Sequence, residues 1–91
     1  MQYLICYDIS EDKIRRKVVK LLEETALRIQ YSVFIAELTD AGLHRLQKKL
    51  LTLTEPSEHS LLLIVPLCQS CRTKIWKKGS FLEEVPACIV A

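Results

Sequence analysis

The first residue able to do chemistry in this chain is Asp8. Met1-Gln2-Tyr3-Leu4-Ile5-Cys6-Tyr7 is an almost unbroken apolar run that delivers one carboxylate just before Ile9-Ser10 and the start of a helical pattern. A carboxylate at the C-terminal tip of a buried strand is held where it can bind a cation or reach a ligand, because ligands of sheet proteins gather around strand ends. The local alternative is that Asp8 caps the following helix or closes a turn on its own backbone.

Cations form the second constellation. Thirteen Lys and Arg against eleven Asp and Glu leave a net charge of +2, too little by itself to require a polyanionic partner. Their placement is uneven, with five in residues 13–20, three in 45–49 and four in 72–78. Such clusters make either a phosphate-binding face or a solvated helix face, and only their joint placement separates the two. Arg15-Arg16-Lys17 spans most of a helix circumference, so part of it points at whatever flanks the Asp8 tip, and phosphate contact is the role assigned to it. Arg28 and Gln30 alternate with Ile29 and Tyr31, a parity that Ser32 and Phe34 continue, which suits a polar groove or a dimer seam. Ser32 offers a hydroxyl to a phosphate or to a metal-bound water; Phe34 reads as core or dimer packing.

The remaining candidates are weaker. Cys68-x-x-Cys71 invites a zinc or redox reading, but a structural zinc site needs two close pairs, and Cys6 lies in the first strand while Cys88 stands alone in the tail. Reduced thiols are the expectation. His44 and His59 have no Asp or Cys at catalytic spacing, and Gly42 and Gly79, the two glycines of the sequence, make no glycine-rich phosphate loop.

The elements that must position these residues follow from periodicity. Residues 3–7 lack alternation, as in a strand covered on both faces or central in a sheet. Ser10 is the expected N-cap of a first helix whose apolar stripe is Ile14, Val18, Leu21, Leu22 and Thr25. Residues 27–38 are β-rich and form one bent strand or two short ones meeting near Tyr31-Ser32. Thr39-Asp40 caps a second helix with Leu43, Leu46, Leu50 and Leu53 on one face, and Glu55-Pro56-Ser57-Glu58 ends it. Residues 59–67, with the run Leu61-Leu62-Leu63-Ile64-Val65, read as a second buried strand, and 73–77 and 85–91 as two weaker ones.

With 91 residues, 49% hydrophobic and 26% charged, the expectation is one globular domain, residues 1–91. No run reaches membrane-span length, and Met1 leads into a strand-like segment, so a cytoplasmic protein with no membrane partner is expected. Two amphipathic helices and about four strands make an α+β, two-layer sandwich, the ferredoxin-like βαββαβ arrangement, with an additional C-terminal strand. That surplus strand calls for an edge to pair with, and the edge of a second copy provides one.

The strand ending Tyr7-Asp8, the basic helix carrying Arg15-Arg16-Lys17, the block Arg28-Ile29-Gln30-Tyr31-Ser32-Val33-Phe34 and the apolar strand ending Pro66-Leu67-Cys68 together resemble the CRISPR-associated protein two family. The resemblance runs through essentially the whole chain, is strongest over residues 1–67, and has its specific part in the Arg-Ile-Gln-x-Ser-Val-Phe block. It implies a homodimer whose two Asp8 side chains face each other across the twofold axis and bind magnesium (Mg2+). It further implies a CRISPR adaptation subunit that bridges the CRISPR integrase, the protein one family, during spacer acquisition. Metal-dependent endonuclease activity on DNA or RNA would centre on Asp8 as both catalytic and metal residue, with Arg15, Arg16, Lys17, Arg28 and Ser32 contacting duplex DNA or single-stranded RNA. Two carboxylates at close range repel unless a divalent cation sits between them, so the pairing and the metal go together. A small stand-alone toxin-type ribonuclease on the same scaffold is the alternative. Small-metal carriers of this fold place Cys-x-x-Cys after the first strand, where this chain has Asp8-Ile9-Ser10.

Overall fold

Strand β1 (Gln2–Ile9) alternates in burial where its sequence does not alternate in polarity. Tyr3, Ile5, Tyr7 and Ile9 are buried; Leu4 and Cys6 are half-buried and Asp8 is exposed. The computed structural model, which describes residues 1–82, shows why: β1 lies between two other strands, with helices covering one of its faces only. The elements that follow are α1 (Asp12–Thr25), β2 (Leu27–Gln30), β3 (Val33–Glu37), α2 (Asp40–Thr54), β4 (Ser60–Leu67) and α3 (Gln69–Arg72). Sheet order is β2-β3-β1-β4 and every neighbouring pair is antiparallel. Each β-α-β unit leaves a gap that a strand of the other unit fills, the split arrangement of the ferredoxin-like fold expected from the sequence.

Helix α1 buries Val18 and Leu22 completely and leans Ile14 and Leu21 against the core, so four of the five stripe positions hold. Thr25 departs from the stripe and is exposed, because the chain leaves the helix at Ala26, whose N–H closes the last turn on the Leu22 carbonyl at 2.8 Å. The N-cap is Glu11 and not Ser10. Helix α2 begins as expected: Thr39 Oγ1 accepts the Gly42 N–H at 3.1 Å. Leu46 and Leu50 anchor its buried face, and the buried Thr54 hydroxyl donates back to the Leu50 carbonyl at 2.7 Å. Between helices and sheet the core closes around Ile5, Tyr7, Phe34, Val18, Leu22 and Leu50.

Residues 27–38 resolve into two short strands joined through Tyr31-Ser32. A register shift between Arg28 and Gln30 breaks the expected parity, since Arg28 opposes Phe34 while Gln30 opposes Val33. The expected second buried strand forms, but β4 is an edge: its ladder among the described residues is to β1 alone. Leu62 and Ile64 pack on the core, whereas Leu61 and Leu63 on the other face are 55% and 47% exposed. The strand expected at residues 73–77 is absent among the described residues. Helix α3 starts directly after β4, and Lys74 N–H closes a turn on the Cys71 carbonyl at 3.0 Å. The chain then returns to the opposite edge of the sheet, where Leu82 N–H donates to the Ile29 carbonyl of β2 at 3.0 Å. The expected strand at 85–91, and Cys88 with it, lies outside the described residues.

Candidate functional site

Asp8 is the penultimate residue of β1, held in the ladder by pairing with Leu61, with Ile9 opposite Ser60 beyond it. Its carboxylate has no hydrogen bond or ion pair among the described residues. The local alternative is removed, since Glu11 occupies the helix N-cap and Asp8 itself stays in the strand. Asp8 is thus an exposed anion on a rigid strand end, on the sheet face away from the helices, with half-buried Cys6 two residues before it and Leu61 and Leu63 beside them on β4.

Glu11, in the sequence no more than an acid at a helix start, organises this corner. Its carboxylate accepts Ser57 Oγ at 2.8 Å and Glu58 N–H at 3.3 Å, tying the α2–β4 loop to the start of α1. The Ser57 bond, ahead of the backbone bonds, holds the Glu11 carboxyl below its ordinary value. Ser57 is 46 residues away in the chain, so no local pattern announces the contact.

The cations sort into two groups. Arg15 and Arg16 both pair with Asp12, and Arg16 Nε reaches Asp12 Oδ2 at 2.8 Å. The Arg16 hydrogen bond, then the charges of both arginines, lowers the Asp12 carboxyl. Arg15 also donates to the Ile9 carbonyl at 3.1 Å, which fixes a guanidinium at the residue next to Asp8. Arg28 donates twice to the Tyr31 carbonyl, at 3.0 and 2.7 Å, and lies over the Phe34 ring. The same carbonyl accepts Tyr7 Oη at 2.9 Å, so Arg28 and Tyr7 jointly pin the β2–β3 turn. A groove of about 320 Å³ runs between α1 and the strands β1 and β2, with Tyr7, Arg15, Arg16, Lys20 and Arg28 among its walls. Four of these are cations, set against Asp12 and Glu23 in the same lining.

The structure therefore brings Arg15, Arg16 and Arg28 together and leaves two expected partners out. Lys17 is exposed outside the groove lining, and Ser32 is half-buried in the turn, where its carbonyl accepts Tyr7 N–H at 3.2 Å. Tyr7 and Asp8 are consecutive in one strand and point to opposite faces. The groove lies on the helix side and Asp8 on the other, linked through Arg15 at the Ile9 carbonyl.

No group of three or more His, Cys, Asp or Glu able to hold a metal is present among the described residues. One chain offers Asp8 alone. Mg2+ binds through one or two carboxylates and keeps several waters, so Asp8 alone is a minimal donor set for it. Among the described residues no helix is long and apolar enough to cross a membrane.

Residues 1–75 match the family model described as CRISPR associated protein Cas2. A protein of Chloroflexus aurantiacus named CRISPR-associated endoribonuclease Cas2 1 is 44% identical over 75 residues, covering 82% of this chain and 81% of the relative. Its namesake in Methanospirillum hungatei is 39% identical over 70 residues, covering 75% and 72%. The crystal structure of Streptococcus pyogenes Cas2 superposes with a TM-score of 0.72 over 87% of this chain and all of the other, at 24% identity, a likeness of fold.

Proposed function

The chain belongs to the CRISPR-associated protein Cas2 family, and from that premise we propose that it is a CRISPR adaptation subunit that works as a homodimer and cleaves RNA through a magnesium site built on two copies of Asp8. The observation that carries this reading is the exposed, unpartnered Asp8 carboxylate beside two exposed leucines. An isolated anion at a rigid strand end has a binding role available, and exposed Leu61 and Leu63 give a second copy a reason to cover that face. Apposition of two such faces about a twofold axis brings the two Asp8 side chains together and supplies the donors that one chain lacks. The names of the relatives support ribonuclease activity.

In this arrangement Asp8 of each copy would hold the ion, which would supply polarisation of the scissile phosphodiester. Arg15 fixes the strand end through the Ile9 carbonyl, and Glu11 holds the α2–β4 loop against the same corner. Arg15, Arg16, Lys20 and Arg28 offer phosphates a groove on the helix side, so duplex DNA binding and bridging of the CRISPR integrase use a surface distinct from the cleavage face.

The test is cleavage of end-labelled single-stranded RNA and duplex DNA by the purified protein, with Mg2+ and with EDTA. RNA cleavage that needs Mg2+ is expected, and DNA retention without cleavage. Cleavage of equal rate in EDTA would refute the metal part, and no RNA cleavage under any divalent ion would refute the nuclease part.

A further inference from the structure

Cys68 and Cys71 sit at the junction of β4 and α3, and nothing in the nuclease reading uses them. Cys68 is the N-cap of α3, and its Sγ accepts the Cys71 N–H at 3.3 Å and lies 3.3 Å from Ser70 Oγ. Both residues are exposed, and both are free thiols. The Cys71 N–H contact puts both residues on one turn, and Cys-x-x-Cys is the spacing of thiol–disulfide exchange pairs. The two thiols are also unlike. Hydrogen bonding from the Cys71 side chain, then from Ser70, favours the Cys68 thiolate and brings that thiol down to about 7. The same contact raises Cys71. Of the pair, Cys68 is the sulfur whose thiolate its neighbours favour, with Cys71 beside it to resolve a mixed disulfide.

We propose that Cys68-Gln69-Ser70-Cys71 is a thiol–disulfide exchange site whose oxidant is a low-molecular-weight disulfide. The Cys68 thiolate attacks one sulfur of RS–SR, forms a mixed disulfide and expels RS⁻, which takes a proton from water. Cys71 loses its proton to solvent and attacks Cys68 Sγ, closing the Cys68–Cys71 disulfide and expelling the second thiol. Two cysteines are oxidised while one disulfide is reduced to two RSH. The event falls at a structural joint. A sulfur in a disulfide is a poorer acceptor than a thiolate, so oxidation weakens the cap of α3 at the point where the chain turns from β4 toward its return to β2 at Leu82.

The experiment is incubation of the full chain with oxidised glutathione, an alkylating quench, tryptic digestion and mass spectrometry. Lys49 and Arg72 are consecutive tryptic sites, so the peptide spanning residues 50–72 carries Cys68 and Cys71 and neither Cys6 nor Cys88. That peptide is expected to lose two hydrogens and to escape alkylation, with reversal by dithiothreitol. Cys71→Ser should accumulate a glutathione adduct on Cys68, the mixed disulfide that Cys71 otherwise resolves, and Cys68→Ser should lose the intramolecular bridge. Circular dichroism of both variants confirms that they are folded. A peptide that stays fully alkylated after incubation would overturn the proposal, as would a Cys71→Ser chain that gathers no adduct on Cys68. A chain that holds zinc on these sulfurs and resists exchange would overturn it too.

Discussion

Asp8 and Leu61 are paired across the β1–β4 ladder, an exposed carboxylate set against a leucine that is 55% exposed. An edge strand carrying bare leucines is an association hazard unless something covers it. A charged residue beside that apolar surface limits which partner can do so. In the proposed homodimer a second copy would set one carboxylate against another, with a cation between them.

Leu61→Lys with Leu63→Lys should therefore weaken the dimer and spare the fold, because Leu62 and Ile64 carry the strand's core contacts. Each leucine contributes roughly 1.5–3 kcal/mol at full burial, and these start about half buried, so a loss of at least tenfold in dimer affinity is expected. Sedimentation velocity reads it; an unchanged dimer mass would place the interface elsewhere.

Duplex DNA affinity should respond to the groove and not to basic charge in general. Reversing Arg15 and Arg16 together should flatten the dependence of log affinity on log salt by roughly 0.9 for each phosphate that the protein no longer neutralises. Lys17→Glu, outside the groove lining, should change it less. Equal slopes for the two variants would make the whole cluster a solvated helix face.

Arg28 does structural service that its charge alone does not describe. Arg28→Lys keeps the cation and loses the paired donation to the Tyr31 carbonyl, so a stability loss on the order of 1 kcal/mol is expected with the salt slope unchanged. Urea denaturation and a DNA titration separate the two effects.

Acid should loosen the corner that Glu11 holds. Its carboxyl is depressed below the ordinary 4.5, chiefly by Ser57, so its contribution is fully present above that value and is lost as pH falls through the lower folded-state value. Glu11→Gln should flatten the stability-against-pH curve below about pH 4.5 and leave the slope near neutrality unchanged. Urea midpoints across that range check it; parallel curves for the two proteins would contradict the assignment.

Much of the fold is legible in the chain. Periodicities of 3.6 and the apolar runs mark both long helices, and the Arg28–Phe34 block and Asp8 mark the family and the candidate site. Thr39 is readable as a cap because its partner, Gly42, is three residues away. The misses have the opposite character. Ser10 yields the N-cap to Glu11, whose partner Ser57 is remote. Leu61 and Leu63 read as buried because a run of apolar residues does not say whether its strand is central or at an edge. The parity expected of Arg28, Gln30 and Ser32 breaks at a register shift and a turn, which local alternation does not encode.

The most direct measurement is Mg2+-dependent cleavage of single-stranded RNA by Asp8→Asn, with dimer mass and melting temperature determined on the same sample. The amide keeps the size of the carboxylate and removes its charge, and Asp8 makes no hydrogen bond or ion pair among the described residues for the substitution to break. Cleavage is predicted to fall to the level of the wild-type protein in EDTA, with the fold, the dimer and DNA binding intact. Wild-type cleavage by a folded, dimeric Asp8→Asn protein would contradict the assignment of Asp8 as the metal-holding residue.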